Sequence, residues 1–317
     1  MSFFTSSRFR FACTARIGLT LATCLCVAIG IATSFAGYFS VGSMLGGAVG
    51  VTVADEIPSE EEVRTDIRQF QDYFLSRFPG VPLQSFANGV AALPQYATQL
   101  ENLDLLMQAP PYLDALETGK RAWQEPMMSG LTLADCFSGK PPPIAYPYYF
   151  DNRIHTIVGD INQCRSQNGE PPIAPDSAEM AALVTAWKAP WRGQPLDVDY
   201  RESEVRRLYG LGRQYFWAKR GQMNLSCANC HVHNAGNRLR GQVLSAALGH
   251  GMGFPAYSLN WERSGEPMGT LQRRYDRCHA YAGAAPLEPQ SEAQIALELY
   301  QAIMNTGVPM SAPSLRP

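Results

Sequence analysis

The chain has 317 residues, 46% of them hydrophobic and 17% charged, and a formal net charge of −2. That length suggests about two domains, and that composition excludes wholesale disorder. The near-neutral charge carries no global footprint of nucleic-acid binding, so no nucleic-acid partner is expected.

The N-terminus reads as an export segment. Arg8, Arg10 and Arg16 give a positive start without an acidic residue, and no charge follows from residue 17 to residue 54. Residues 17–36 are mostly apolar and end in Ser34-Phe35-Ala36, a small-x-small pattern that a signal peptidase cuts, and Thr52-Val53-Ala54 offers a second such site. Residues 1–54 are therefore assigned to a leader that directs the chain to the periplasm. An uncleaved anchor is the alternative, because ~20 apolar residues span a bilayer. Cys13, Cys24 and Cys26 fall in the leader. Of the eight cysteines, Cys136, Cys164, Cys227, Cys230 and Cys278 remain. In an oxidising compartment cysteines pair or ligate, and an odd number leaves at least one with another task.

Along the mature chain, Gly119-Lys120-Arg121 precedes Leu133-Ala134-Asp135-Cys136-Phe137. Cys164 follows, and then an amphipathic helix from Ser177 runs to a break at Gly193-x-Pro195. Gly212-Arg213-Gln214 opens a second round, followed by Leu225-Ser226-Cys227-Ala228-Asn229-Cys230-His231. C-x-x-C-H is the attachment sequence of c-type haem: two thiols add to the porphyrin edge and the adjacent histidine ligates the iron. A redox C-x-x-C has no need of His231, and a zinc site would need a second ligand pair. Residues 271–278 read as helix, with Leu271, Tyr275 and Cys278 on one face. Arg274 lies about 40° from Cys278 around that helix, Arg277 about 100° and Arg273 about 140°. Arg274 is thus placed to share a pocket with Cys278, to hold its thiolate or to grip a small oxyanion with a fork of hydrogen bonds. A final helix from Ser291 ends at Gly307-x-Pro309.

The second round repeats the first. At a constant offset of 114, Cys164 falls on Cys278, Ala182 on Ala296, Leu183 on Leu297, Gly193 on Gly307 and Pro195 on Pro309. The expected fold is mainly α: two tandem cytochrome c-like helical domains related by duplication, over 55–200 and 201–317. The first lacks the second cysteine and the histidine, so it should carry no haem. If Cys278 faces the iron in the second copy, Cys164 faces the vacated site in the first, close enough to Cys136 for a disulfide. Cys278 is then the lone thiol, at an axial position opposite His231, where a thiolate would favour ferric iron. An inert buried thiol is the alternative. Met223, Met252, Met268, Met310, His233 and His250 are weaker axial candidates; Met310 reads as structural and the two histidines as surface or loop residues. His155 and His279 have no motif around them. Arg238 and Arg240 are candidates for pairing with haem carboxylates.

Several of these segments resemble SoxA, the larger cytochrome subunit of the SoxAX complex of bacterial sulfur oxidation. They are Asn224-Leu225-Ser226-Cys227-Ala228-Asn229-Cys230-His231, Arg238-Leu239-Arg240-Gly241, Gly253-Phe254-Pro255-Ala256-Tyr257 and Arg273-Arg274-Tyr275-Asp276-Arg277-Cys278. In the first copy, Asp135-Cys136-Phe137, Tyr146-Pro147-Tyr148-Tyr149-Phe150-Asp151 and Asn162-Gln163-Cys164-Arg165 belong to the same pattern. The resemblance implies an L-cysteine S-thiosulfotransferase that couples thiosulfate oxidatively to a cysteine of the carrier SoxYZ. It implies a heterodimer with the smaller cytochrome SoxX, and electrons leaving through haem to an acceptor cytochrome c. By the resemblance, Cys227 and Cys230 attach one covalent haem c, His231 and Cys278 are axial ligands, Cys278 carries a persulfide and Arg274 binds substrate. Many family members hold two haems; the missing first C-x-x-C-H makes this chain resemble the single-haem type. The competing reading is a plain periplasmic electron-transfer cytochrome with His/Cys-ligated haem.

Overall fold

A computed structural model describes residues 56–96, 105–239 and 242–316. The expected leader, with its three cysteines, and Arg240 lie outside these residues. From residue 56 on, the described residues belong to one compact unit, and its framework is helical.

Helix α1 (Glu60–Arg77) starts at a reciprocal cap, in which Ser59 Oγ accepts from Glu62 N and the Glu62 carboxylate accepts from Ser59 N. Three glutamates in its first turn and Arg77 in its last complement the helix dipole. Then follow α2 (Leu113–Gln124), α3 (Leu133–Cys136), a hairpin of β1 (Tyr148–Phe150) and β2 (Arg153–His155), α4 (Ile157–Gln167), α5 (Ala178–Lys188) and α6 (Ser203–Trp217). After α6 come a π-helical turn (Asn229–His233), the short pair β3 (Arg238–Leu239) and β4 (Gln242–Val243), β5 (Ala256–Ser258), α7 (Leu259–Glu262) and β6 (Met268–Gly269). The described chain ends with α8 (Leu271–Ala282), α9 (Glu292–Met304) and β7 (Ser314–Arg316). Strand β5 pairs antiparallel with β6 and parallel with β7.

Two helix pairs dominate, α2 against α5 and α6 against α9, and each crosses at a glycine. A Cβ on Gly119 would lie 2.7 Å from the Ala182 carbonyl carbon and 2.9 Å from Ala186 Cβ. A Cβ on Gly212 would lie 2.6 Å from the Ala296 carbonyl carbon and 2.7 Å from Tyr300 Cβ. Both glycines let the backbones touch, and Ala182 and Ala296 are partners at the 114-residue offset. The breaks after α5 and α9 also pair with each other: Leu196 N donates to Val308 O (3.1 Å) and Met310 N to Gln194 O (2.8 Å), while Gly193 N donates to Met310 O (2.8 Å) and Gly307 N to Leu196 O (2.9 Å). Moving either bond of each pair by 114 residues generates the other. Gly193 and Gly307 hold φ of +87° and +83°, the left-handed region that glycine adopts without strain.

Trp123, Phe137, Ile161, Cys164, Met180 and Leu183 belong to one core. A larger core contains Tyr209, Phe216, Val232, Leu248, Leu297 and Tyr300. Although α1 falls within 55–200, its apolar stripe of Val63, Ile67, Phe70 and Phe74 is buried in that larger core. The join is also polar: Asp66 accepts from Tyr209 Oη (2.8 Å) and Arg213 (2.7 Å), and Gln71 Nε2 donates to Thr306 O (2.9 Å). Among the described residues no helix is long and apolar enough to cross a membrane.

Candidate functional site

The cysteine pair Cys227 and Cys230 stands at the start of the π-helical turn. Asn229, between them, closes a cap: Asn229 Oδ1 accepts from Ser226 N (2.9 Å) and Ser226 Oγ (3.0 Å), while Ser226 Oγ accepts from Asn229 N (3.1 Å). The wide turn closes with Asn234 N donating to Asn229 O (3.2 Å), a geometry enriched at functional sites. Helix α1 holds the turn from outside, with Tyr73 Oη donating to Val232 O (3.2 Å) and Arg77 Nη2 to Ala235 O (2.9 Å). Cys227, Cys230 and Cys278 are the free cysteines among the described residues.

His231 is buried, and its Nδ1 lies 3.0 Å from Ser245 O. A carbonyl only accepts, so Nδ1 carries the proton and Nε2 is left with the lone pair a metal needs. Burial, then the charge of Arg274, pushes the imidazole down to about 4, so it is neutral at working pH. Ser245 Oγ lies 3.2 Å from the same Nδ1 and 2.5 Å from His250 Nδ1. The His250 ring packs 4.5 Å from that of His231. The sequence reading placed His250 on the surface or in a loop; it lies in a turn but is buried, because residues 244–255 fold back under the π-helical turn, where Ala247 N donates to His231 O (2.7 Å).

Helix α8 brings Cys278 and Arg274 to this place. Thr270 caps the helix, accepting from Arg273 N (3.2 Å), and Leu271 and Tyr275 anchor its buried face. Burial pushes the Cys227 thiol up to about 11, and the nearby Cys278 adds to the shift. Cys230 is raised for the same two reasons in the same order, and Arg274 opposes them. Arg274 therefore lies near both Cys230 and His231, while its Nε is buried without a hydrogen-bond partner. His250 Nε2 is likewise buried and unpartnered. Two thiols with two residues between them, a neutral imidazole with a free Nε2, a third thiol and orphaned buried groups suit a thioether-bound iron porphyrin.

Of the weaker candidates, Met223 and His233 are exposed, whereas Met252, Met268 and Met310 are buried in apolar surroundings. His279 is held by Tyr215 Oη (2.6 Å) and Tyr275 O (2.8 Å). Arg238 is exposed on β3. Sequence reasoning missed Ser245, which has no motif, and the latch formed by Tyr73 and Arg77.

The other half has its own constellation. Cys136 and Cys164 form a disulfide, with Cα atoms 6.1 Å apart. A cavity of about 480 Å³ opens over it, away from the C-x-x-C-H motif, lined by Lys140, Tyr148, His155 and Asp160 among others. Asp160 is buried and lies 2.6 Å from His155 Nδ1, while accepting from Tyr146 Oη (2.9 Å) and Lys140 Nζ (3.0 Å). Phe137, next to Cys136, packs edge-on to Trp123 (4.7 Å) and Trp187 (5.0 Å).

No family model matches the chain. The chain is 38% identical, over 80% of its length and 88% of the relative's, to the L-cysteine S-thiosulfotransferase subunit SoxA of Chlorobaculum thiosulfatiphilum. It is 37% identical, over 82% and 90%, to the protein of the same name from Chlorobaculum tepidum. Among solved structures it resembles SoxXA from P. pantotrophus, with a TM-score of 0.61 and 24% identity over 68% of this chain and 84% of that one.

Proposed function

Because the chain belongs to the SoxA family of L-cysteine S-thiosulfotransferase subunits, we propose that it couples thiosulfate to a cysteine of the carrier SoxYZ, as the haem-bearing partner of SoxX in the periplasm. The observation that carries this reading is the convergence of Cys278 and Arg274 on Cys227, Cys230 and His231. In it, Cys227 and Cys230 would hold one haem c as thioethers, and His231 and Cys278 would ligate its iron. The bound haem supplies a one-electron acceptor next to sulfur.

Arg274 holds the sulfonate end of thiosulfate and directs its outer sulfur at Cys278. Joining a thiol to thiosulfate forms an S–S bond and releases one proton and two electrons. A carrier thiolate then attacks the outer sulfur, takes the thiosulfate unit and leaves Cys278 as thiolate. Attack of water on the sulfonate sulfur would instead break its bond to the outer sulfur, release sulfate and leave Cys278 as a persulfide. A single haem would supply only a one-electron acceptor, so the two electrons would need SoxX or an acceptor cytochrome c as well.

The proposal includes a duplicated architecture, with a haem-free copy over 55–200 and a haem copy over 201–317, to which α1 is an added buttress. Its support is the matched glycine crossings and the pairing of the two breaks. In the first copy the sequence position that would match Cys227 holds Cys136, spent in a disulfide, and Phe137 follows it, packed against Trp123.

The deciding experiment is the intact mass of the mature protein from the periplasm, before and after reduction. One covalent haem plus a reducible sulfur adduct mapped to Cys278 is the expected result. Haem without any adduct, together with full turnover in Arg274→Ala, would leave the electron-transfer cytochrome; no covalent haem would overturn the reading.

A further inference from the structure

The disulfide of the first copy stands at a cavity and not in closed core. Cys136 and Cys164 both line the space of about 480 Å³. Cys136, at the end of α3, is partly exposed, while Cys164, on α4, is buried. A small nucleophile in the cavity therefore meets Cys136 first, and Cys164 is the sulfur that would leave. Asn168 is placed to help it. Asn168 Nδ2 donates to Cys164 O (2.8 Å) and lies 3.6 Å from Cys136 Sγ and 3.8 Å from Cys164 Sγ. Ser129 Oγ donates to Asn168 Oδ1 (2.7 Å), which keeps the N–H side of the amide toward the sulfurs. A donor aimed at sulfur favours the thiolate.

The cavity wall is rich in donors: Ser138, Lys140, Arg153 and Gln167 all line it. Two carboxylates line it as well. Asp160 is buried and taken up by Lys140, His155 and Tyr146, and Asp151 is exposed in the turn between β1 and β2. Arg153, on β2, keeps 46% of its side chain exposed and reaches Asp160 only at 3.8 Å, while its Nε donates to His155 Nε2 (3.1 Å). An arginine fork in a wall of neutral donors suits a small oxyanion. Disulfides are opened by sulfur nucleophiles, and an accessible one is the labile kind. Sulfite is both an oxyanion and a sulfur nucleophile.

We propose that the first copy captures sulfite at this disulfide. The sulfite sulfur supplies an electron pair and forms a bond to Cys136 Sγ. The Cys136–Cys164 bond breaks, and Cys164 leaves as thiolate and takes a proton from water. Cys136 becomes an S-sulfonate, with no outside oxidant or reductant. In reverse, the Cys164 thiolate attacks Cys136 Sγ and expels sulfite. While closed, the bond still ties α3 to α4. The site lies apart from Cys227, Cys230 and His231 and does not depend on the haem reading.

The test treats the mature protein from the periplasm with sulfite, without denaturant, then caps free thiols and maps the peptides by mass. The expected result is a sulfonate on Cys136 and a newly capped thiol at Cys164, with the helical circular dichroism unchanged. Mapping separates this from any reaction at Cys278. Arg153→Gln should slow the reaction with sulfite by about tenfold, the low end of an electrostatic effect on a charged reactant, and leave cleavage by uncharged dithiothreitol unchanged. Arg153→Lys keeps the charge and should stay near the wild-type rate. If Arg153→Gln does not fold, salt gives the same readout on the wild type: it should slow sulfite and not dithiothreitol. A disulfide that sulfite opens only after unfolding would overturn the inference. So would equal sulfite rates in Arg153→Gln and wild type, or a sulfonate found on Cys164.

Discussion

Gly212→Ala places a methyl where α6 meets α9. Elsewhere in a helix that change adds about 1 kcal/mol of stability, because alanine is the better helix former. Here the new Cβ would lie 2.6 Å from the Ala296 carbonyl carbon and 2.7 Å from Tyr300 Cβ, against an ordinary carbon contact of about 3.5–4.0 Å. The obstacle is backbone, so no rotamer change relieves it, and the helices must part by about 1 Å. A gap of that size forfeits about a quarter to a half of each dispersion contact across the seam, where Tyr209, Phe216, Leu297 and Tyr300 are buried. Overpacking of this kind costs about 1–3 kcal/mol or more, so the expected net loss is about 2 kcal/mol. For a unit of this size that is roughly 4–8 °C in Tm. Denaturant and thermal unfolding of the haem-loaded protein measure it. Gly119→Ala, whose Cβ would meet the Ala182 carbonyl carbon at 2.7 Å, should lose a comparable amount. A Gly212→Ala protein as stable as the wild type, or more so, would refute the close-crossing reasoning.

Replacing both Cys136 and Cys164 by Ser opens a loop with a sequence separation of 28, for which chain entropy gives a loss of about 3–4 kcal/mol; the denaturant midpoint should fall, and reductant should no longer move it. Asp160→Asn removes the charge that Lys140 and His155 contact at 3.0 and 2.6 Å. Breaking a buried ionic cluster costs about 3 kcal/mol, so an unfolding curve overlaying the wild type would count against the network. Arg274→Ala should reduce kcat/KM for thiosulfate by about 10²-fold or more, the scale of one lost charged contact of about 3 kcal/mol, with covalent haem retained. Equal kcat/KM would remove Arg274 from the substrate site.

Local chemistry was the most legible part of the sequence. C-x-x-C-H specifies its own geometry, and helical spacing put Arg274 beside Cys278 because the arc of about 40° between them depends on helix periodicity alone. The matched glycines were visible as a repeated pattern, though their role as contact points required the facing carbonyls of Ala182 and Ala296. Less legible was whatever depends on distant segments. Helix α1 reads as part of the first copy, yet its stripe is buried with α9, since an amphipathic face does not name its partner. His250 looks like a loop histidine until the chain folds back under the π-helical turn.

The duplication proposed above also accounts for where unmet groups collect. At the 114-residue offset, Cys164 corresponds to Cys278 and Asp160 to Arg274. In the first copy both groups are satisfied: the cysteine is spent in a disulfide, and the aspartate contacts a lysine, a histidine and a tyrosine at 3.0, 2.6 and 2.9 Å. In the second copy the same positions hold a free thiol and an arginine whose buried Nε has no partner. A protein that needed only cohesion there would have paired the groups of the second copy as it paired those of the first, since each unsatisfied buried donor costs about 1–3 kcal/mol. Departures from local satisfaction are expected where a site waits for something the chain does not itself supply. By that criterion the working face of this molecule lies where α8 meets the π-helical turn, and the first copy is the scaffold that holds it.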